Sequence, residues 1–116
     1  MFRSTPPRLG HASPWGAIDC VTPLGPDAVS VITPFHGGIW VTPQALARIP
    51  EPLRATAYSG GGWFEEGCDW CIPYLVLGLH RFDGAPERQA WRQEAAQKIL
   101  DACHAAHAGL VRVDRL

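Results

Sequence analysis

Apolar and polar positions change rhythm along the chain. Up to about residue 86, β-branched and aromatic residues come in short runs punctuated by Pro and Gly, and beyond it a helical period takes over. Three β-rich runs, residues 17–22, 28–33 and 39–41, are each bounded by Pro or Gly. The turns between them, residues 23–27 and 34–38, have hairpin length, which predicts a three-stranded antiparallel meander. In the second turn Gly37-Gly38 reads as a pair that permits positive φ.

Helix signals follow. Thr42-Pro43 is a hydroxyl N-cap ahead of proline at the first helical position, and Pro50 and Pro52 end the short helix that it opens. Residues 53–62 have no clear period and close in Ser59-Gly60-Gly61-Gly62, a hinge or a close-approach loop. A second helix is expected from Cys68 or Asp69, carrying Trp70, Tyr74 and Leu77, with Pro73 in its first turn. A third is expected from Pro86 to about Ala108, stopped by Gly109, with an apolar stripe of Trp91, Ala95, Ile99, Cys103, Ala106 and Leu110. The alternating tail, residues 111–116, suits a further strand, and residues 1–13 read as a loose N-terminal arm. The predicted class is α+β: one domain spanning residues 1–116, with a small three-stranded meander covered on one face by two to three helices, the last of them long.

Composition narrows the function classes. With 116 residues, 47% apolar, 18% charged and a net charge of −1, the chain suits a single packed domain and not a long disordered one. Near-neutral charge and the lack of a basic stripe with interleaved aromatics exclude a strongly basic nucleic-acid binder, so no direct nucleic-acid contact is expected. The longest apolar run, residues 72–79, holds Pro73 and Gly78 and is too short to span a bilayer, and no signal peptide is visible. A cytoplasmic location without membrane contact is expected. There is no P-loop, dinucleotide fingerprint or Gly-x-Ser-x-Gly elbow.

The densest chemistry lies in residues 60–71. Glu65, Glu66 and Asp69 fall within five residues, flanked by Trp63, Phe64 and Trp70, and no Lys or Arg occurs between Ala55 and Leu79. The plain reading is acidic residues at a helix start beside core aromatics. The functional readings are a partner-binding face of Trp63, Phe64, Glu65, Glu66, Asp69 and Trp70, or carboxylates whose pKa is raised beside aromatics for acid–base work. His36, a turn residue by default, joins either reading if the fold brings it near Glu65 or Glu66. Cys68 and Cys71 form a Cys-x-x-Cys at an expected helix start, where the dipole lowers a thiol pKa and the adjacent carboxylates raise it. With His104 and His107, and Cys103 close by, the same cysteines make a two-Cys, two-His zinc set, although the histidine spacing is shorter than usual. The alternative is buried cysteines and surface histidines, with no cofactor.

Four segments together resemble a known family: Ser13-Pro14-Trp15-Gly16, Thr33-Pro34-Phe35-His36-Gly37-Gly38-Ile39, Ile49-Pro50-Glu51-Pro52-Leu53-Arg54 and Gly62-Trp63-Phe64-Glu65-Glu66-Gly67-Cys68-Asp69-Trp70. In this order they are similar to a small uncharacterised domain of proteobacterial plasmids, prophages and integrative elements, over about residues 13–82. Gly67 stands where that family is usually acidic, and Cys71 where it often has alanine. These departures weaken a carboxylate site at Gly67 and make the Cys-x-x-Cys incidental. The resemblance implies a mobile-element accessory protein. Such proteins act by binding and blocking host defence machinery, so the leading expectation is a stoichiometric, anti-CRISPR-like inhibitor of a host protein or protein–nucleic-acid complex. The alternatives are a small metal- or carboxylate-dependent hydrolase using His36, Glu65, Glu66 and Asp69, and a module that dimerises through its C-terminal helix. Binding is preferred to catalysis, because no reaction signature is present.

Overall fold

A computed structural model describes residues 3–111. The chain opens with a small hairpin, β1 (Ala12–Ser13) paired with β2 (Gly16–Ala17). A four-stranded antiparallel sheet follows in the order β3 (Cys20–Pro23), β4 (Ala28–Ile32), β5 (Gly37–Val41) and β6 (Trp63–Glu65). The predicted meander is present as β3–β5, with β6 as an additional edge strand. The expected first strand, residues 17–22, is divided between two sheets. Ile18 bonds through both backbone groups to Gly10 and His11, whereas Asp19 donates to Ile32. These bonds also replace the expected loose arm over residues 3–13: Pro7 is fully buried, and Arg3 and the Arg8 amide both reach His11 Nδ1.

Strand periodicity sends side chains to two separate cores. On one side of the sheet Val29, Val31, Trp40 and Trp63 pack with Trp15 and Ile18 from the hairpin. On the other, Ala28, Ile39, Val41 and Phe64 pack under the helices. The sheet is therefore covered on both faces, not one. Close packing explains the paired glycines, neither of which has positive φ. A Cβ on Gly37 would collide with the Val31 carbonyl, and one on Gly38 with the Phe64 carbonyl and the Trp15 ring. They are strand residues selected by steric crowding.

Helix α1 (Pro43–Leu46) is capped as predicted, with Thr42 Oγ1 accepting from the Ala45 amide at 3.1 Å. The unassigned stretch is organised by two 3₁₀ turns, Glu51–Arg54 and Ser59–Gly61, and by buried Ser59, whose hydroxyl donates to the Arg54 carbonyl at 2.5 Å. Helix α2 (Cys71–Val76) holds Pro73 in its first turn, and a 3₁₀ turn, Leu79–Phe82, leads to α3 (Pro86–Cys103). The most buried row of α3 lies one residue on from the predicted stripe, of which Ile99 packs against the helix-side core while Cys103 is exposed. Ala96 and Leu100 are buried in the helix-side core, with Arg92 and His104 at the two ends of the row, and Trp91 is 67% exposed. The helix ends at Cys103, short of the expected Ala108, and residues 108–110 form a separate 3₁₀ turn. Of the expected C-terminal strand only Val111 lies within the described residues, and it is not in a strand. Among the described residues no helix is long and apolar enough to cross a membrane.

Candidate functional site

The site is built where the β4–β5 turn meets the segment after β6. Thr33, buried at the start of the turn, accepts from the Phe35 and His36 amides and donates to the His36 carbonyl at 2.7 Å. That bonding satisfies the turn internally and leaves the Phe35 side chain 80% exposed at the tip. Across the sheet register, Gly38 pairs with Glu65, and the Glu66 amide donates to the Gly37 carbonyl at 2.9 Å. The acidic segment is thus joined to the two glycines after His36, while the His36 backbone itself bonds to Thr33. No hydrogen bond joins its imidazole to Glu65 or Glu66 among the described residues.

From β6 onward the acidic-aromatic segment separates into distinct tasks. Trp63 is 3% exposed in one core and Phe64 is 0% exposed in the other, so neither is available as a partner anchor. Alternation of the strand places them on opposite sides of the sheet, and both sides are packed. The Glu65 carbonyl accepts from the Asp69 and Trp70 amides, a tight reversal that feeds α2. Glu65 is half-buried, Glu66 is exposed, and neither carboxylate has an ion-pair partner among the described residues.

Asp69 turns inward. His104 Nε2–H is shared between the Cys68 carbonyl at 2.8 Å and Asp69 Oδ1 at 3.3 Å. Burial raises the Asp69 pKa above the ordinary carboxylate value, and the neighbouring His104 opposes that shift. Trp70 stacks edge-on against Tyr74 with ring centres 5.3 Å apart, and the Arg92 guanidinium lies 4.9 Å above the Trp70 ring. Tyr74 donates its hydroxyl proton to Asp83 Oδ2 at 2.9 Å, and Asp83 pairs with Arg88 and Arg92 at 3.3 and 3.5 Å. Burial first, then Asp83, push the Tyr74 hydroxyl pKa well up. Trp70 is thus a wedge between α2 and α3.

Between this wedge and the uncovered end of the sheet lies a cleft of about 350 Å³, lined by Thr22, Ser30, Ile32, Glu66, Trp70 and Arg92 among others. The exposed apolar side chains that sequence reasoning did not single out are Phe35 and Ile32, the latter 53% exposed. Their signal was an aromatic in a Pro-His-Gly-rich turn, where core packing is least expected.

The Cys-x-x-Cys does not behave as a paired motif. The helix begins at Cys71, so Cys68 lies outside its first turn. Cys71 is fully buried, donates to the Cys68 carbonyl at 3.2 Å, and has its thiol pKa pushed up to about 12, chiefly by burial. The exposed Cys68 thiol has its pKa raised, with Cys103 as the leading cause ahead of burial. Of the expected zinc set, Cys68 and His104 are held together by the hydrogen bond to the Cys68 carbonyl, and His107 is exposed in the turn beyond α3. Among the described residues no three His, Cys, Asp or Glu side chains converge as a metal-binding group.

No curated protein and no solved structure matches the chain. One family model matches residues 8–114, a span that takes in the hairpin, the four-stranded sheet and α3. The chain belongs to that family, the domain of unknown function DUF7007.

Proposed function

We propose that this domain acts by stoichiometric protein binding, as an anti-CRISPR-like accessory factor carried on mobile elements. In this reading it docks on a cationic, nucleic-acid-handling surface of a host defence complex. The observation that supports it is exposed Glu66, which has no ion-pair partner among the described residues and lines one cleft with exposed Ile32, next to the turn that displays Phe35 at its tip. An exposed aromatic supplies an anchor, and uncompensated carboxylates steer toward an Arg/Lys-lined partner. The mobile-element context comes from the motif resemblance. Against a carboxylate-dependent enzyme stands the separate engagement of its parts: Asp69 is held by His104, and among the described residues the His36 imidazole makes no hydrogen bond to Glu65, Glu66 or Asp69.

The test is affinity purification of the tagged protein from bacteria carrying active CRISPR and restriction systems. The expected result is one stoichiometric complex whose nucleic-acid binding is blocked. The pair of substitutions Phe35→Ala and Glu66→Gln should weaken that complex about thirtyfold, the effect of ~2 kcal/mol at a hot spot. Absence of a complex, or capture indifferent to both substitutions, sinks the reading. A second reading, dimerisation through α3, is favoured by exposed Trp91 on its outer side. Sedimentation at rising concentration separates the two, since a strict monomer removes the dimer.

A further inference from the structure

The cysteine that the fold gives to Cys68 is not its neighbour in the motif. Cys68 lies in the turn before α2, and Cys103 is the last residue of α3. Two bonds pin these segments together: His104, next to Cys103, gives its Nε2–H to the Cys68 carbonyl at 2.8 Å and reaches Asp69 Oδ1 at 3.3 Å. Cys103 is the leading cause of the raised Cys68 thiol pKa, and both cysteines are exposed to solvent. Cys71, by contrast, is sealed in the core and bonded to a backbone carbonyl. We infer that Cys68 and Cys103 are a redox-modifiable pair that closes an intramolecular disulfide between the acidic segment and the end of α3.

A small-molecule disulfide, RSSR, is a sufficient oxidant. One exposed thiol loses its proton and attacks a sulfur of RSSR, forming a mixed disulfide and releasing RSH. The second thiol then loses its proton and attacks the protein-bound sulfur, expelling a second RSH. The net change is two protein thiols plus RSSR going to one protein disulfide plus two RSH. Both thiols are exposed, and the His104 bonds hold their two segments together, the condition for the sulfurs to reach disulfide geometry. The bond would tie the end of α3 to the segment that displays Glu65 and Glu66. This inference does not rest on the partner-binding reading, because it concerns the free chain.

The experiment treats the full-length protein with oxidised glutathione, followed by thiol titration, intact mass and non-reducing peptide mapping. Exposed Cys20 can take up glutathione as a mixed disulfide, so the count is read in Cys20→Ser, where two of the three remaining thiols should disappear while the chain stays monomeric, with the peptide containing Cys68 joined to that containing Cys103. Dithiothreitol should restore all three. Cys103→Ser in the same background should lose the link and accumulate a glutathione adduct on Cys68. Persistence of all three thiols, a Cys68–Cys71 link, a link only between chains, or an unchanged reaction in Cys103→Ser each overturns the inference.

Discussion

Two acidic groups lie on either side of the same cleft and are treated in opposite ways. Asp83 is buried and receives the Tyr74 hydroxyl and two arginines, one of which also covers Trp70. Glu66, on the far wall, is exposed and carries no such partners among the described residues. The first carboxylate holds two helices and a turn in place. The second contributes nothing visible to the fold, so its charge is left for whatever meets the surface. The aromatics divide in the same way: Phe64 lies in the core and Phe35 stands in water.

The largest effect that can break this comparison is expected at the aromatics. Phe64→Ala should destabilise the domain by about 3–5 kcal/mol, the usual cost of emptying a packed aromatic site, whereas Phe35→Ala should stay within about 0.5 kcal/mol. Urea denaturation of both variants measures the difference. Similar losses at the two positions would mean that the turn is packed in solution and offers no anchor.

The carboxylates come next. Asp83→Ala should cost about 2–3 kcal/mol, because it strands the Tyr74 hydroxyl and leaves Arg92 with only its stacking contacts. Glu66→Ala should change stability by no more than about 0.5 kcal/mol. Thermal unfolding checks both. A destabilised Glu66→Ala would assign that residue to the fold and withdraw it from the binding surface.

Why some of this was legible in sequence and some was not follows from the range of the forces involved. Thr42-Pro43 acts within a single turn, so the start of α1 could be read from its neighbours, and Pro73 does fall in the first turn of α2, although that helix begins at Cys71 and not at Cys68 or Asp69. Strand β6 has only three residues, and its apolar pair Trp63-Phe64 serves two different cores, so it shows none of the apolar–polar alternation that marks a half-buried strand. The inward stripe of α3 was misread because its ends are Arg92 and His104, which an apolar count passes over. Arg92 is drawn inward by two aromatic faces and His104 by a carboxylate and a carbonyl. Those contacts, such as His104 with Cys68 across 36 positions, exist only once the chain has folded. The site shares this limit. The acidic segment was visible in sequence, but the exposure of Phe35 and Ile32 and the approach of His104 to Cys68 were not.

Asp69 is the intermediate case between the two carboxylates of the comparison, and it gives the smallest effect. Burial raises its pKa, and His104 opposes the shift without cancelling it. A carboxyl whose folded pKa lies above its unfolded one holds its proton more tightly in the folded state. Its contribution to stability is then fully present below the ordinary value of 3.8 and is lost as pH rises through the folded pKa. At neutral pH the ionised group is therefore retained at a net cost, and what it offers in exchange is a fixed orientation for His104 beside Cys68. Relative to Asp69→Asn, the wild type should gain stability as pH falls from neutral toward 3.8, measured by urea midpoints at matched ionic strength. A difference running the other way would mean that attraction to His104 outweighs desolvation. Asp69 would then belong with Asp83 among the charges that hold the fold together.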